Sequence, residues 1–401
     1  MRAEILEAAG SWPGGHRFAT PFTERLLCKQ SLRISAGTNT ATPVTSDPNP
    51  TVSIPGAGPT AVHRAAVPCC DAVAGSAVKA AVCERYGPPE VVQIREMPKP
   101  VPADGEVLVK AVATTVNSGD TRVRALRVPR GLSVPMRVRL GFTKPKQPIF
   151  GFEMAGQVEA VGREVTHFRP GDRVVASRGF DFGCHAEYVT VAEQGAIAKI
   201  PESLSYRDAV ALCFGGMTAL IFFRLGKLAP GETVLINGAS GAVGTMAVQL
   251  AKHLGAEVTA VCSGANVELV RDLGADHVID YTTEDFTRNG QRYDVIMDNH
   301  GNAPYARVKG SLKPGGRFLM VIGDLWQMLA ASRHKAVISS SESDSSSAAD
   351  YYRTLMELAE RGALKPVIDS VLPFAQIVEA HRRVDGGHKV GSVVLTFEQD
   401  S

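Results

Sequence analysis

No pair of cysteines in this chain is spaced as Cys-x-x-Cys. The seven present, Cys28, Cys69, Cys70, Cys83, Cys184, Cys213 and Cys262, form no ladder of spacings. That argues against a disulfide framework and a structural zinc site and suits a reducing compartment, so the expected setting is cytoplasmic. An excess of one charge is lacking too: 43 Lys and Arg face 41 Asp and Glu, a net charge of +2. No electrostatic case then exists for nucleic acid or a membrane surface as a partner. No apolar run approaches the roughly 18 residues that a membrane span needs. What is present is ordinary for a globular protein, 44% hydrophobic and 21% charged. Its 401 residues exceed one typical core, so two domains plus extras are expected.

Residues 1–77 have little to bury. The stretch TNTATPVTSDPNPTVSIPGAGPT, residues 38–60, is turn-rich and cannot offset its ordering entropy with apolar burial. A basic head, apolar core and small-residue cleavage site are missing, so this is no signal peptide. Arg and Ser would suit a transit peptide, but Glu4, Glu7 and Glu24 argue against one. Order begins abruptly at Val78-Lys79-Ala80-Ala81-Val82. Two readings stand: Val78 marks the true initiator and residues 1–77 are a start-site artefact, or they form a disordered extension.

From Val78 the chain reads as short strands. Apolar runs and alternation fall at residues 106–112, 156–161 and 187–191, with turn signals such as Pro88-Pro89 and Arg169-Pro170-Gly171-Asp172 between them. The expected product is a compact, mainly antiparallel, barrel-like lobe.

The strongest chemical signal comes next. The buried-strand pattern of residues 233–237 runs into Gly238, Ala239, Ser240, Gly241, Ala242, Val243 and Gly244. A helix follows, with Val243, Ala247, Leu250, Ala251 and Leu254 on one face and Gly255 past its end. Strand, glycine turn and helix N-terminus together make a cradle for a dinucleotide pyrophosphate: Gly241 admits the phosphates and Gly244 lets helix and strand pack closely. Further strands at residues 257–262, 277–281, 293–299 and 318–323 imply a parallel, doubly wound sheet. An NAD-specific site places an acid at the end of the second strand, where this chain has Cys262-Ser263-Gly264-Ala265-Asn266. Ser263 and Asn266 are able to hydrogen-bond a 2′-phosphate, though no Arg or Lys accompanies them; simple helix capping is the competing role. NADPH is preferred on these grounds, with NADH open.

With these residues in view, residues 78–401 resemble the medium-chain dehydrogenase/reductase superfamily in its zinc-free quinone oxidoreductase branch. The similarity lies in residues 78–121 (VKAAVCERYGPPEVV through NSGDT), in PIFGFEMAGQVEAVGREVTHFRPGDRV at 148–174, in GMTAL, in the glycine turn, in LGADHVIDY and in GHKVGSVVLTF. The resemblance implies a doubly wound parallel Rossmann domain at 204–363 and a GroES-like catalytic domain at 78–203 plus 364–401. It also implies a homodimer, formed by an outer strand within 318–323 or 335–339 that would otherwise leave an unpaired edge.

Zinc-dependent members carry Cys where this chain has Asn117 and His where it has Phe152. Phe cannot ligate and Asn is a poor substitute, so no metal is expected. Glu153 then reads as a structural relic, and Cys213 as a small buried hydrophobe. Without a Lewis acid, a quinone or enone is the fitting substrate, because hydride addition gives a delocalised anion. The resemblance places Asn117 and Asp120 at the cleft, Asn117 donating to the substrate oxygen and Asp120 orienting a water or Thr121; turn formation is their other role. Several quinone reductases have a Tyr shortly after this point. Residues 122–150 contain none and are basic instead, with Arg122, Arg124, Arg127, Arg130, Arg137, Arg139, Lys144 and Lys146. A solvated loop, or a cover with affinity for an anion, explains that bias, and water is the expected proton source. The polar stretch 339–348 reads as an exposed loop. Alternative functions are an enoyl or alkene reductase of secondary metabolism, a zinc-free alcohol dehydrogenase-like enzyme, and a non-catalytic NADPH-binding structural protein.

Overall fold

The computed structural model describes residues 77–128, 131–331, 333–339 and 345–397. The readings of residues 1–76 lie outside these, and Ala77 opens the first strand.

Strands β1 (Ala77–Cys83) and β2 (Val92–Pro98) pair antiparallel. A mixed, mostly antiparallel sheet of seven strands follows, with order β14-β15-β3-β4-β5-β7 and β6 also paired to β3. Its members are β3 (Glu106–Val116), β4 (Glu153–Val161), β5 (Arg173–Ser177), β6 (Tyr188–Ala192), β7 (Ala196–Lys199), β14 (Ile368–Pro373) and β15 (Ser392–Thr396). β3, EVLVKAVATTV, is rich in β-branched residues and buried along most of its length, as a central strand should be. Two short helices, α1 (Ser118–Arg124) and α2 (Ser133–Leu140), lie between β3 and β4.

Helix α3 (Tyr206–Gly226) leads into a second sheet. By length and composition it is apolar enough to cross a membrane, which corrects the expectation that no segment comes close. Its burial has another cause. It packs against strands of both sheets and two flanking helices, and Ala209, Leu212, Cys213, Ala219 and Phe223 are closed from solvent. A helix apolar on every side is a core helix when protein covers it.

The second sheet has six parallel strands in the order β10-β9-β8-β11-β12-β13. They are β8 (Thr233–Asn237), β9 (Glu257–Cys262), β10 (His277–Asp280), β11 (Tyr293–Asp298), β12 (Leu312–Met320) and β13 (Val337–Ser339). Between them run α4 (Ala242–His253), α5 (Val267–Asp272), α6 (Tyr305–Val308) and α7 (Leu325–Ala331), with α8 (Ser345–Glu360) after β13 and α9 (Ile377–Asp385) before β15. This is the doubly wound dinucleotide order, and the strand sequence reverses between β8 and β11. Two expectations change. β12 ends at Met320, which leaves Ile322 and Gly323 beyond the sheet's carboxyl edge. Part of the expected 339–348 loop is regular structure: Ser339 closes β13, and residues 345–348 begin α8.

Candidate active site

Gly238 leaves β8 with φ +77°, a conformation that side chains resist. Its N–H and that of Ala239 both donate to the Val261 carbonyl, at 3.1 and 3.0 Å, which ties the turn to β9. Gly241 is the N-cap of α4, with ordinary φ −76°. A Cβ on Gly244 would stand 2.1 Å from the Gly238 carbonyl oxygen, so close packing demands glycine there. A Cβ on Gly241 would meet only that oxygen, at 3.6 Å, and would otherwise point into open space. The first turn of α4 thus offers N–H groups and a positive dipole end beside an accessible surface. Asn299 follows β11 beside Gly238, and both polar atoms of its amide are buried without partners. These features fit a bound dinucleotide.

At the ribose end, Asn266 donates its side-chain N–H to the Ser263 hydroxyl at 3.2 Å. Neither side chain caps a helix, so the capping alternative does not hold. An acid is nevertheless at hand. Asp280 of β10 pairs in register with Cys262, and its Oδ2 would stand 2.6 Å from a Cβ on Gly264. The loop itself carries no carboxylate, as its sequence shows, and the neighbouring strand β10 brings one beside it. Its Oδ1 accepts from the Thr282 N–H and hydroxyl, bonds that hold the carboxyl below its usual range.

The returning end of the chain meets the turn as well. Gly391 donates its N–H to the Ser240 carbonyl at 2.9 Å, and Lys389 donates its ammonium to the Gly391 carbonyl at 2.5 Å. Burial pushes the Lys389 ammonium down to about 8. No spacing rule links position 389 to position 240.

The opposite wall is built where β3 meets α1. Asn117 Oδ1 accepts from the Gly119 and Asp120 N–H groups at 2.8 and 3.2 Å, and Asp120 Oδ2 accepts from the Asn117 N–H at 2.9 Å. This is a reciprocal capping box. Asp120 Oδ1 accepts from the Gly151 N–H at 3.1 Å, and burial raises its carboxyl. Both side chains therefore hold the backbone through their oxygens, and the amide N–H of Asn117 is left without a protein partner among the described residues. The Asn117 side-chain N–H is buried, and Asp120 holds Gly151, whereas the Thr121 hydroxyl donates to the Ser118 carbonyl at 3.3 Å.

Phe152 fills its position with an aromatic cluster: Phe182, Phe180 and Phe214 lie 5.0, 5.7 and 6.1 Å from its ring. Behind it, Glu153 is 1% exposed and accepts from the Thr115 hydroxyl, and burial pushes its carboxyl up to about 8. The hydroxyl of Tyr352, from α8, is buried and unpartnered, as are Glu153 Oε2 and Asn117 Nδ2. The Cys213 thiol donates to the Ala209 carbonyl at 3.2 Å, and burial raises it well above its ordinary value. Among the described residues no three His, Cys, Asp or Glu side chains gather as a ligand set.

A cavity of about 370 Å³ lies between the end of α1 with the residues that follow it and the loops after β11 and β12, with Arg122, Arg127, Gly301, Ile322 and Gly323 in its walls. This is the crevice outside the carboxyl ends of the strands, where ligands of doubly wound folds bind. A larger one, about 770 Å³, is lined by Arg169, Arg173, Lys199 and Tyr206, away from the carboxyl ends of the parallel strands. Arg173 there donates to the carbonyls of Pro201 and Leu204, so its charge serves the fold.

Residues 103–202 match the alcohol dehydrogenase GroES-like domain and residues 273–395 the zinc-binding dehydrogenase family. A chloroplastic quinone-oxidoreductase of Triphysaria versicolor is 33% identical over 315 residues, covering 75% of this chain and 92% of that protein. A mitochondrial NAD(P)H oxidoreductase of Homo sapiens is 31% identical over 350 residues, covering 78% and 88%. Among solved structures, a quinone oxidoreductase from Coxiella burnetii superposes with a TM-score of 0.71 at 26% identity, covering 80% of this chain and all of that one. The CurK enoyl reductase gives 0.70 at 25% identity, covering 80% and 99%. A mycobacterial protein solved with NADPH gives 0.65 at 28% identity, covering 80% and 99%.

Proposed function

Because the chain belongs to the quinone oxidoreductase-like branch of the medium-chain dehydrogenase/reductase superfamily, and is an NAD(P)H-dependent oxidoreductase, we propose that it reduces a quinone, an enone or a similar activated carbonyl compound with NADPH and without zinc. The carrying observation is the glycine turn with its glycine-only close approach at Gly244, together with Phe152 packed among aromatic rings and a helix-capping Asn117 where zinc-dependent members have ligands. The bound nicotinamide supplies the hydride. The chain's own part is to hold the phosphates on the first turn of α4, with Lys389 close by, and to shape a crevice that keeps the acceptor in line. Asn117 and Asp120 set the wall through their hydrogen bonds to the backbone, and water supplies the proton.

Support for a quinone comes from the chloroplastic relative's name, and an alkene is a second reading favoured by the likeness to an enoyl reductase. Screening quinones, enones and aldehydes against NADPH and NADH, by nicotinamide absorbance with and without chelator, separates these. Oxidation that depends on a quinone or enone and survives the chelator is the expected result. Activity lost in chelator and restored by zinc refutes the zinc-independent chemistry.

A further inference from the structure

Arg122 is a half-buried cation without a counter-ion among the described residues. It sits on α1, two residues past Asp120, and lines the cavity beside Gly301, Ile322 and Gly323. No hydrogen bond or ion pair joins its guanidinium to any described residue. Its neighbours on the chain are treated otherwise. Arg124 is fully buried and donates to Asp385 at 2.5 Å and to the Gly87 carbonyl at 3.2 Å. Arg139 reaches Asp181 at 3.2 Å, and Lys146 reaches the Val138 carbonyl at 2.6 Å. Among the described residues of this stretch, most of the cations are thus used by the fold, whereas Arg122 lines the cavity with no partner of its own.

A second guanidinium faces the same space. The Arg127 N–H donates to the Arg122 carbonyl at 2.8 Å, so the backbone closes a turn between the two residues. Arg127 stands 3.5 Å from Asp385 Oδ2, the oxygen that Arg124 already holds at 2.5 Å, so one carboxylate serves two guanidiniums. The cavity's own acid is Asp324. Its Oδ1 accepts from the Gln327 N–H at 2.7 Å, and the Gln327 side chain accepts from the Asp324 N–H at 2.8 Å. That pairing fixes Asp324 at the start of α7, and no ion pair joins it to Arg122. Positive charge therefore exceeds negative around the cavity. Burial also pulls the Arg122 guanidinium below its ordinary value, the mark of a cation short of water and counter-charge. An unpaired, partly desolvated guanidinium binds a carboxylate or phosphate strongly, because its planar donors match two acceptor oxygens.

We propose that Arg122, assisted by Arg127, binds an anionic group, carboxylate or phosphate, carried by the substrate beside its reducible carbonyl or alkene. Val128 and Ile322 supply apolar wall, so the fitting molecule is amphipathic: an electron-poor unsaturated head with an acid within the reach of a 370 Å³ space. The inference rests on the reading of this cavity as the place of the acceptor. The same chemistry has a second source, a cofactor phosphate, and the test separates the two.

The probes are a naphthoquinone with a short carboxylate-ended side chain and its methyl ester. Each is titrated calorimetrically into the protein loaded with NADP⁺, which permits no turnover, and then assayed with NADPH. The parent should bind the acid at least tenfold tighter than the ester, as expected for a charge-assisted pair. Arg122→Gln should abolish that preference and leave the ester and the NADPH dissociation constant within twofold; Arg122→Lys should keep part of it. Equal binding of acid and ester by the parent, or a preference that survives Arg122→Gln, overturns the proposal. A tenfold loss of NADPH affinity in Arg122→Gln overturns it too and assigns the guanidinium to the cofactor. If the acid preference is found but neither quinone is reduced, the anion site stands and the quinone reading fails.

Discussion

The Gly391 N–H donates to the Ser240 carbonyl at 2.9 Å, joining the chain's returning segment to the middle of the glycine turn. Gly391 has φ +71°, and a Cβ there would lie 2.1 Å from the Val367 carbonyl oxygen. Gly391→Ala should therefore cost about 1–3 kcal/mol from backbone strain alone. It should weaken NADPH binding as well, because the turn loses its tie. Thermal melting with and without NADPH checks this; an unchanged melting temperature would show that the segment relaxes freely.

Gly241→Val is expected to act in the opposite way. The backbone there suits any residue, and the Cβ would meet only one atom. The circular-dichroism spectrum should survive, while NADPH affinity falls about 100-fold or more as the side chain blocks the phosphates. A variant that binds NADPH like the parent would mean the cradle lies elsewhere.

The coenzyme preference turns on two side chains. The parent should favour NADPH, and Ser263→Asp should move it toward NADH by repelling a 2′-phosphate. Asp280 approaches the same loop from β10, so Asp280→Asn should raise the NADPH preference several-fold. The ratio of kcat/KM for the two coenzymes is the readout, and a parent that favours NADH refutes the loop argument.

Glu153 makes stability depend on pH. Its carboxyl is raised from 4.5 to about 8 by burial, so between those values the folded state keeps a proton that the unfolded state has lost. Stability must then fall as pH rises from about 4.5 to 8, with a cost on the order of a few kcal/mol above that window. Glu153→Gln cannot ionise and should melt higher than the parent at pH 8, with the gap closing near pH 4. A gap independent of pH would show that Glu153 does not ionise in this range.

β13 pairs with β12 on one side and forms the outer edge of the parallel sheet. We expect a second copy to cover that edge across a two-fold axis, since an open strand is a liability. Light scattering should give about twice the 42.6 kDa chain mass, and a monomer at working concentration refutes the homodimer.

Much of this was legible in the sequence because it is local. Strand β8, the Gly238–Gly244 turn and α4 are contiguous, so period, glycine placement and the helix end at Gly255 could be read directly. The residues at 117 and 152 argued about zinc for the same reason: side-chain chemistry is a property of the residue type. What tertiary structure alone decided is who meets whom. Asp280 reaches the Ser263 loop through strand pairing, Lys389 and Gly391 reach the glycine turn from the far end of the chain, and Tyr352 faces Glu153 from α8. It also decided that the side-chain oxygens of Asn117 and Asp120 accept from backbone N–H groups, and that Arg122, one among many cations in its stretch, stands beside a cavity without a partner among the described residues. Those outcomes depend on distances between segments far apart in sequence, which only the packing of the two sheets around α3 sets.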